Sequence, residues 1–375
     1  MTTNLSRRAW LQRSAMAAAV LPISRWYLPD GNGYTQQLPD LTGKIRLNSN
    51  ENPYGPSENS KKAMMDSMAE ANRYPRDFIT KLKEEIATRE ALTPEHVLIA
   101  AGSTELLGLA GLTFGLGGGE LAACHPTFDF MMVFAERLGC TWARTPLDKK
   151  FQYDLHALDK IIGPKTKLIF VCNPNNPTGI EIPYPRLKSF CGAHGTKYPL
   201  FVDEAYIELS NGGRKGSMAG LIEQQPKLII GRTFSKVHGL AGMRIGYALA
   251  QPDMIKAMSN LQSTRGMSVS ALAASAALAS LKDPAFEDYC RGRILEGRKM
   301  VNDTFDQWGV EYLESSTNFV FFKNEKFATD PVEAMAKENI LIRSYDYVPG
   351  WSRVSIGTVE EMEMFLTAAK KYVVS

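Results

Sequence analysis

Short apolar runs alternate with longer stretches of helical periodicity through the middle of this 375-residue chain. Apolar runs of about four to eight residues, bounded by turn residues, are typical of buried strands. Strands that alternate with helices are typical of a parallel sheet with helices packed on its faces. The pattern therefore predicts a three-layer α/β domain built on a mostly parallel seven-stranded sheet. Its strands are expected near Val97, Leu121, Trp142, Leu168, Leu200, Leu228 and Ile245.

The C-terminal part of the chain has a different pattern, in which helices and single strands are mixed. A long helical stretch is predicted over 254–281, where it would bridge to a smaller α+β domain that packs with the N-terminal arm. We therefore divide this part into a large domain over 74–261 and a linking helix with a small domain over 262–375. The small domain is predicted to have helices at 286–308, at 331–339 and from Glu360 onward, and strands at 310–313, at 318–322 and around Ile342 and Val354.

The first 25 residues carry a pattern of their own. The motif S-R-R-A-W-L, which contains Arg7 and Arg8, precedes a short alanine-rich apolar stretch over 14–21. That stretch is too short to span a bilayer as a stable helix. Residues 1–25 resemble a twin-arginine export signal, which implies a periplasmic protein exported in folded form; a basic tail on a cytoplasmic protein is the alternative. Residues 26–73 form an N-terminal arm that begins with a segment rich in proline and glycine.

Polar residues follow three of the predicted strands at their carboxyl ends. The motif N-P-N-N-P-T-G follows the strand near Leu168, D-E-A-Y follows the strand near Leu200, and S-K follows the strand near Leu228. Because parallel sheets place ligands at the carboxyl ends of their strands, an amide, a carboxylate, a phenol and a lysine are expected on one edge of one sheet. The lysine is Lys236. A partly desolvated lysine loses some of its preference for the charged form and can act as an imine-forming amine.

These clusters, together with N-S-N-E-N-P-Y-G at 48–55 and R-V-S-I-G-T at 353–358, span most of the chain. In this order they resemble the motifs of fold-type I pyridoxal-phosphate enzymes of the class I and II aminotransferases, and most of all the histidinol-phosphate aminotransferase branch. The resemblance implies that Lys236 forms a Schiff base with the cofactor, that Asp203 pairs with its pyridine nitrogen, and that Asn176 and Tyr206 hydrogen-bond its phenolic oxygen. Taken singly, the same four residues would be an exposed lysine, a surface acid, a turn asparagine and a core tyrosine.

A phosphate-binding region is predicted where the first strand of the sheet turns into a helix. Gly102, followed by Ser103 and Thr104, would present backbone N–H groups at a helix N-terminus, where an anion is favoured. An ordinary helix cap is the alternative. The resemblance assigns the cofactor phosphate to Ser103 and Thr104, joined by Ser235 and Arg244.

Two aromatic residues complete the implied cofactor site. Phe128 matches the residue that stacks on the cofactor ring, although the branch often has tyrosine there; on its own it would be a core residue. Tyr54 matches a residue that reaches the phosphate from the neighbouring subunit. The resemblance therefore implies a homodimer in which Tyr54 is contributed across the interface.

Two arginines are candidates for binding the substrate. Arg353 matches the residue that grips the α-carboxylate of the amino acid in these aminotransferases, and a planar guanidinium suits that task because it binds a carboxylate bidentately. The alternation around Arg353 predicts a strand, so that a solvent-facing arginine is the alternative. Arg343 falls near the place where the histidinol-phosphate branch binds the substrate phosphate.

Composition changes this picture little. The formal net charge of the chain is +3, and residues 1–24 hold three arginines and no acid, so the remainder is neutral. A neutral protein offers no electrostatic case for binding nucleic acid or a membrane surface. The five cysteines and five histidines show no metal-ligand spacing, so no metal site is expected. His238, two residues after Lys236, either lines the site or packs beneath it.

The sequence thus predicts a pyridoxal-phosphate-dependent transaminase. Its amino donor would be an amino acid or a histidinol-phosphate-like amine, and its acceptor a keto acid or an aldehyde. A decarboxylase of the threonine-phosphate type would share the cofactor residues and stays open. A non-catalytic binding protein with this fold is a further alternative, against which Lys236, Asp203 and Arg353 argue. Export would argue against routine histidine biosynthesis, which is a cytoplasmic pathway.

Overall fold

The computed structural model describes residues 43–374, apart from Arg265. The predicted leader over 1–25 and the predicted arm as far as residue 42 lie outside these residues. Within the described part of the chain, no helix combines the length and the apolar character needed to cross a membrane.

In the described residues, the strands form a seven-stranded, a four-stranded and a two-stranded sheet. In chain order the strands are β1 (Ile45–Arg46), β2 (Val97–Ala100), β3 (Gly119–His125), β4 (Cys140–Pro146), β5 (Thr166–Cys172), β6 (Leu200–Asp203), β7 (Leu228–Thr233), β8 (Gly246–Ala250), β9 (Tyr312–Leu313), β10 (Phe319–Lys323), β11 (Ile340–Leu341), β12 (Arg343–Ser344) and β13 (Trp351–Ser355). The α-helices are α1 (Glu58–Ser67), α2 (Arg76–Arg89), α3 (Ser103–Gly115), α4 (Phe130–Glu136), α5 (Leu155–Ile161), α6 (Tyr184–His194), α7 (Pro252–Asn260), α8 (Ala271–Leu281), α9 (Pro284–Trp308), α10 (Pro331–Lys337) and α11 (Val359–Lys370).

The large sheet has the strand order β2-β8-β7-β6-β5-β3-β4. Strands β3 to β7 pair in parallel, whereas β8 runs antiparallel to both of its neighbours. Both faces of the sheet are buried: along β5, Leu168 and Phe170 belong to one apolar cluster, and Ile169 and Val171 belong to another. A strand buried on both faces is a continuous apolar run rather than an alternating one. The predicted three-layer fold with a mostly parallel seven-stranded sheet is confirmed.

The helix predicted over 254–281 is wrong as a single element, because α7 and α8 are separate helices. Between them, the side chain of Gln262 donates a 3.1 Å hydrogen bond to the backbone oxygen of Ile99. Ser270 then caps α8, since its hydroxyl accepts a hydrogen bond from the backbone N–H of Ala273. Serine is a favoured N-cap residue, so a new helix begins inside a stretch whose periodicity alone predicts continuity.

Helix α8 packs with the large sheet instead of bridging to the small domain. Ala273, Ala274 and Ala277 belong to a buried cluster on one face of that sheet, and α8 lies against α1 and α2. By apolar burial this helix belongs with the large domain, although the sequence assigned it to the segment 262–375. The domain limits as a whole stay a prediction.

The C-terminal part forms an antiparallel sheet of order β12-β13-β10-β9. A separate parallel pair joins β1 of the arm to β11, with Ile45 opposite Ile340. The backbone oxygen of Leu47 then accepts a 2.8 Å hydrogen bond from the N–H of Ser355 at the end of β13. The part of the arm around β1 is therefore packed with the small domain, as predicted, whereas α1 lies against α8.

Candidate active site

A cavity of about 420 Å³ lies at the carboxyl ends of β5, β6 and β7. These strands are parallel neighbours, so the residues that follow them meet at one edge of the sheet. Every predicted site residue except Tyr54 lines this cavity: Ser103, Thr104, Phe128, Asn176, Asp203, Tyr206, Ser235, Lys236, Arg244, Arg343 and Arg353.

Lys236 and Asp203 have strongly perturbed acid–base properties. Burial, reinforced by the positive charge of Arg353, lowers the pKa of Lys236 to about 8, so that the neutral amine is populated near neutral pH. Burial raises the pKa of Asp203 to about 6, even though its Oδ1 accepts a 3.0 Å hydrogen bond from the N–H of Ala205. A buried carboxylate of this kind favours a cationic partner, such as a protonated pyridine nitrogen.

Strand alternation decides which of two neighbouring acids faces the cavity. Asp203 lines it, whereas Glu204 points away and forms a 2.9 Å ion pair with Nε of Arg232. Both side chains of that pair are 1% exposed, and the hydroxyl of Ser217 donates a 2.7 Å hydrogen bond to Glu204. Glu204 is therefore neutralised within the protein, which leaves Asp203 as the acid available to a ligand.

Asn176 and Tyr206 each have one hydrogen-bonding side fixed by the protein. Oδ1 of Asn176 accepts a 2.6 Å hydrogen bond from Nη1 of Arg353, which leaves the amide NH₂ group for a ligand. The hydroxyl of Tyr206 accepts a 2.9 Å hydrogen bond from Nδ2 of Asn50. Burial raises the pKa of Tyr206, so the phenol keeps its proton. Both groups can therefore donate to an oxygen atom in the cavity.

The start of α3 provides a cradle for a phosphate group. Gly102 has a φ of 83°, and α3 begins at the next residue without a side-chain cap, so its first backbone N–H groups are available to an anion. A Cβ atom at Gly102 would lie 2.5 Å from Nη2 of Arg244, so only glycine allows the guanidinium to come this close. The hydroxyls of Ser103, Thr104 and Ser235 line the same cavity. Backbone donors, hydroxyls and a guanidinium fit a phosphate dianion.

The remaining groups fit the rest of the cofactor that the resemblance implies. Phe128 lines the cavity and packs against the apolar cluster that includes α3, which supports an aromatic face at the ligand. With the phosphate cradle, the amine of Lys236 and the buried carboxylate of Asp203, the lining fits pyridoxal phosphate. The individual roles of these residues stay predictions.

Arg353 and Arg343 lie beside the same aromatic ring. Their guanidinium carbons are 5.5 Å and 5.2 Å from the ring centroid of Tyr345. Arg353 is buried, and its Nη2 donates a 2.8 Å hydrogen bond to the backbone oxygen of Asn48. Arg343 is exposed, and among the described residues no acidic side chain forms an ion pair with it. The cavity therefore has a rigidly held cation and a second, freer one.

Tyr54 and His238 lie outside the cavity lining. The ring of Tyr54 packs against Tyr289, with centroids 5.5 Å apart, and the guanidinium of Arg293 is 6.0 Å from it. Within one chain Tyr54 therefore does not line the phosphate cradle. His238 is buried, its Nδ1 lies 2.7 Å from the hydroxyl of Ser280, and burial lowers its pKa to about 3. His238 was predicted either to line the site or to pack beneath it, and the packing role is correct.

The cavity-lining residues that sequence reasoning missed include Asn50, Tyr345 and Tyr347. Asn50 stands in a motif with three asparagines, and the motif alone does not say which one faces the site. The two tyrosines lie in the segment between Arg343 and Arg353, which has no clear periodicity. Their position between the two candidate substrate arginines was the available signal.

Comparisons with known proteins agree with this fold. The family model "Aminotransferase class I and II" matches residues 42–368. The chain is 32% identical over 335 residues to a histidinol-phosphate aminotransferase of Brevibacillus brevis, covering 89% of this chain and 91% of that protein. It is 35% identical over 334 residues to an aromatic amino acid aminotransferase of Rhodococcus erythropolis, covering 88% and 90%. The crystal structure of histidinol-phosphate aminotransferase from Sinorhizobium meliloti in complex with pyridoxal 5'-phosphate matches with a TM-score of 0.79 at 26% identity, covering 88% and 90%.

Proposed function

The chain belongs to the aminotransferase class I and II family, and from that premise we propose that its amino donor carries an anionic group bound by Arg353 and Arg343. The protein is a pyridoxal-phosphate-dependent aminotransferase. The observation that carries the substrate proposal is the position of Arg353, a buried guanidinium in the cavity that also contains Lys236. Arg353 uses two of its five N–H donors on protein oxygens, so it retains donors for a bidentate contact with an anion.

When bound, pyridoxal phosphate accepts the electron pair released at the substrate carbon. The protein binds and orients it. Ser103, Thr104, Ser235 and Arg244 would hold the phosphate, and the ionised carboxylate of Asp203 would keep the ring nitrogen protonated. Because Asp203 is buried, its ionised form is favoured only when a positively charged group lies beside it.

Lys236 is the group that moves protons. With a pKa lowered to about 8, its Nζ is partly neutral near neutral pH, so that it can take a proton from the substrate carbon and release it again. Nζ donates a 3.0 Å hydrogen bond to the backbone oxygen of Asn50, which an ammonium group can also make. The amide of Asn176 and the phenol of Tyr206 donate hydrogen bonds to an oxygen of the ligand and so orient it.

Two anionic groups are candidates for the donor: an α-carboxylate is the first and a phosphate is the second. The α-carboxylate is favoured by the single, rigidly held Arg353. The phosphate of a histidinol-phosphate-like amine is favoured by Arg343, a second cation beside the same tyrosine ring that has no acidic partner among the described residues. Two guanidinium groups suit a dianion better than a carboxylate.

The experiment that tests the proposal is a panel of amino donors mixed with the cofactor-loaded protein in the absence of an acceptor. Conversion is measured in two ways: as loss of the cofactor's visible absorbance and as formation of the keto or aldehyde product. Each anionic donor has a neutral partner of similar shape: phenylalanine is compared with phenylalaninamide, and histidinol phosphate with histidinol. We expect the anionic member of a pair to react much faster.

Equal rates within both pairs would overturn the role of the arginines while leaving the aminotransferase assignment intact. The phenylalanine pair and the histidinol phosphate pair together decide between carboxylate and phosphate. Threonine phosphate is included, and release of carbon dioxide from it would instead favour the decarboxylase alternative.

We also propose that the active unit is a homodimer in which Tyr54 reaches the phosphate cradle of the partner subunit. The support is its placement in one chain: its ring lies against α9, outside the cavity whose lining includes every other predicted cofactor residue.

Finally, we propose that residues 1–25 direct export by the twin-arginine route, so that the enzyme acts in the periplasm on a free amino acid or small amine. The support is the pair Arg7-Arg8 followed by a short apolar stretch. If the protein remains in the cytoplasm, histidinol phosphate becomes the first candidate for its donor.

A further inference from the structure

Asn50 has an unusual backbone conformation at the edge of the active site. Its φ is 54°, in the left-handed region that few residues other than glycine adopt, and asparagine is among the more tolerant of them. It is 2% exposed and lines the cavity. In this conformation its carbonyl oxygen and its side-chain amide contact two different catalytic side chains.

The small domain fixes Asn50 through Ser355 and Asn318. The N–H of Asn50 donates a 2.8 Å hydrogen bond to the hydroxyl of Ser355, and that hydroxyl donates a 2.9 Å hydrogen bond to Oδ1 of Asn50. Nδ2 of Asn318 donates a 3.0 Å hydrogen bond to the backbone oxygen of Asn50. The side-chain amide is therefore held in one orientation, with its oxygen toward Ser355 and its nitrogen toward the site.

The held amide sets the direction of the Tyr206 hydroxyl. Nδ2 of Asn50 donates a 2.9 Å hydrogen bond to the phenolic oxygen of Tyr206. An amide NH₂ group cannot accept a hydrogen bond, so the proton of Tyr206 must point elsewhere. Since the phenol lines the cavity, the proton is available to a ligand oxygen there.

The backbone oxygen of Asn50 serves the second catalytic group. It accepts a 3.0 Å hydrogen bond from Nζ of Lys236. A carbonyl can stabilise an ammonium group without taking its proton, so this contact suits a lysine that has been released from the cofactor and carries a proton. One residue of the arm thus contacts both the proton-transfer group and the phenol.

We propose that Asn50 is a positioning residue of the active site. Its side chain directs the Tyr206 hydroxyl toward the cofactor's ring oxygen, and its carbonyl holds the ammonium form of Lys236. Both functions depend on the docking of the arm onto the small domain through Ser355. The inference concerns the cofactor site alone and does not depend on which donor the enzyme uses.

The test is a pH titration of the visible absorbance of the cofactor-loaded protein, without substrate. Asn50→Gly keeps the left-handed backbone and the carbonyl but removes the amide. Asn50→Asp keeps the shape and replaces the donor with a carboxylate, which draws the Tyr206 proton away from the cofactor. The charged groups that face Lys236, namely Asp203, Glu51, Arg244 and Arg353, are the same in every variant.

Loss of the Tyr206 hydrogen bond destabilises the deprotonated form of the chromophore, so the titration midpoint should rise. We expect a rise of roughly one pH unit or more in Asn50→Asp, and a smaller rise in Asn50→Gly. In a Tyr206→Phe background, most of the rise caused by Asn50→Asp should disappear. The matched control is Asn52→Asp, in the same loop, whose side-chain amide contacts the backbone oxygen of Val237 and the sulfur of Cys290.

Three results would overturn the proposal: midpoints of both Asn50 variants equal to that of the wild type, a full shift of Asn50→Asp that persists without the Tyr206 hydroxyl, or an equal shift in Asn52→Asp. The first would show that the amide does not control the phenol. The second would show that the added charge alone causes the shift. The third would show that any disturbance of the loop causes it. If Asn50→Asp fails to fold or to bind cofactor, Asn50→Gly decides by itself.

Discussion

Nη1 of Arg353 donates a 2.6 Å hydrogen bond to Oδ1 of Asn176, a residue 177 positions away in the chain. The contact joins the side chain proposed to bind the donor's anion to one predicted to bind the cofactor. It occupies the oxygen of the Asn176 amide and so turns the NH₂ group toward the cavity. An anion that drew Arg353 away from Asn176 would loosen this orientation.

Replacing Arg353 with alanine is expected to lower kcat/KM for anionic donors by on the order of a hundredfold, because a charge-assisted bidentate contact in a desolvated site contributes roughly 2–4 kcal/mol. Arg353→Lys keeps the positive charge but not the planar group that binds a carboxylate bidentately, so kcat/KM should recover only in part. Steady-state kinetics of the cofactor-loaded variants provide the measurement. Arg343→Ala should affect phosphate-bearing donors more than monocarboxylates. Unchanged kcat/KM in Arg353→Ala would contradict the proposed substrate contact.

The buried Asp203 should make the stability of the cofactor-free protein depend on pH. Its pKa is about 6 in the folded state, against a usual value of 3.8, so the folded state binds this proton more tightly than the unfolded state. The resulting stabilisation is full below pH 3.8 and is lost as the pH rises through 6. Between these values the free energy of unfolding should fall by about 3 kcal/mol from this group.

The measurement for Asp203 is urea unfolding of the wild type and of Asp203→Asn at a series of pH values from 4 to 7. Titrations of groups that do not interact with Asp203 cancel in the difference between the two proteins. The variant should gain in stability relative to the wild type as the pH rises. Parallel pH profiles would show that Asp203 is not a buried, proton-retaining carboxyl.

Tyr54 offers a test of the proposed dimer. The variants Tyr54→Phe and Lys236→Ala should each be strongly impaired, since one lacks the hydroxyl expected at the partner's phosphate and the other lacks the proton-transfer group. Mixing the two and allowing subunits to exchange should restore partial activity, because each heterodimer contains one site with both wild-type residues. Sedimentation that finds a fully active monomer would refute the shared site.

The predicted leader over 1–25 can be tested through the cellular location of the protein. Replacing Arg7 and Arg8 with lysines should leave the protein folded and active but confined to the cytoplasm, and a reporter fused after residue 25 should follow the same pattern. Fractionation of cells that carry either version is the measurement. Equal export of both versions, or no export of the wild type, would contradict periplasmic action without affecting the aminotransferase assignment.

The sequence predicted the seven strands and the cluster of site residues because both follow from simple rules. Buried parallel strands are continuous apolar runs, and their carboxyl ends meet at one edge of the sheet. Asp203 is the last residue of such a strand, and Lys236 and Asn176 lie in the loops that follow two others, so their convergence could be expected before the structure was known. The glycine turn before Ser103 was informative for the same reason, because it marks a strand-to-helix junction.

Periodicity failed where the chain leaves regular structure. Asp203 and Glu204 are adjacent acids that alternation places on opposite sides, but only the ion pair with Arg232 shows that Glu204 is the one that points away from the cavity. Asn50 is one of several asparagines in its loop, and its role depends on a left-handed backbone that the composition of the loop does not reveal. The break between α7 and α8 contains Gly266 at a φ of 84° and ends at the capping Ser270, and apolar periodicity alone does not show either signal.

The central claim is that Lys236 is the amine that binds the cofactor and moves the proton. The most direct measurement is borohydride reduction of the loaded protein, followed by proteolysis and mass spectrometry, alongside turnover by Lys236→Ala. We predict a yellow protein in which the reduced cofactor is found on the peptide that contains Lys236. The Lys236→Ala variant should still bind cofactor through its phosphate, but its turnover should be slower by at least about a thousandfold. A protein that stays colourless with pyridoxal phosphate, or label on another lysine with full activity in Lys236→Ala, would contradict the claim.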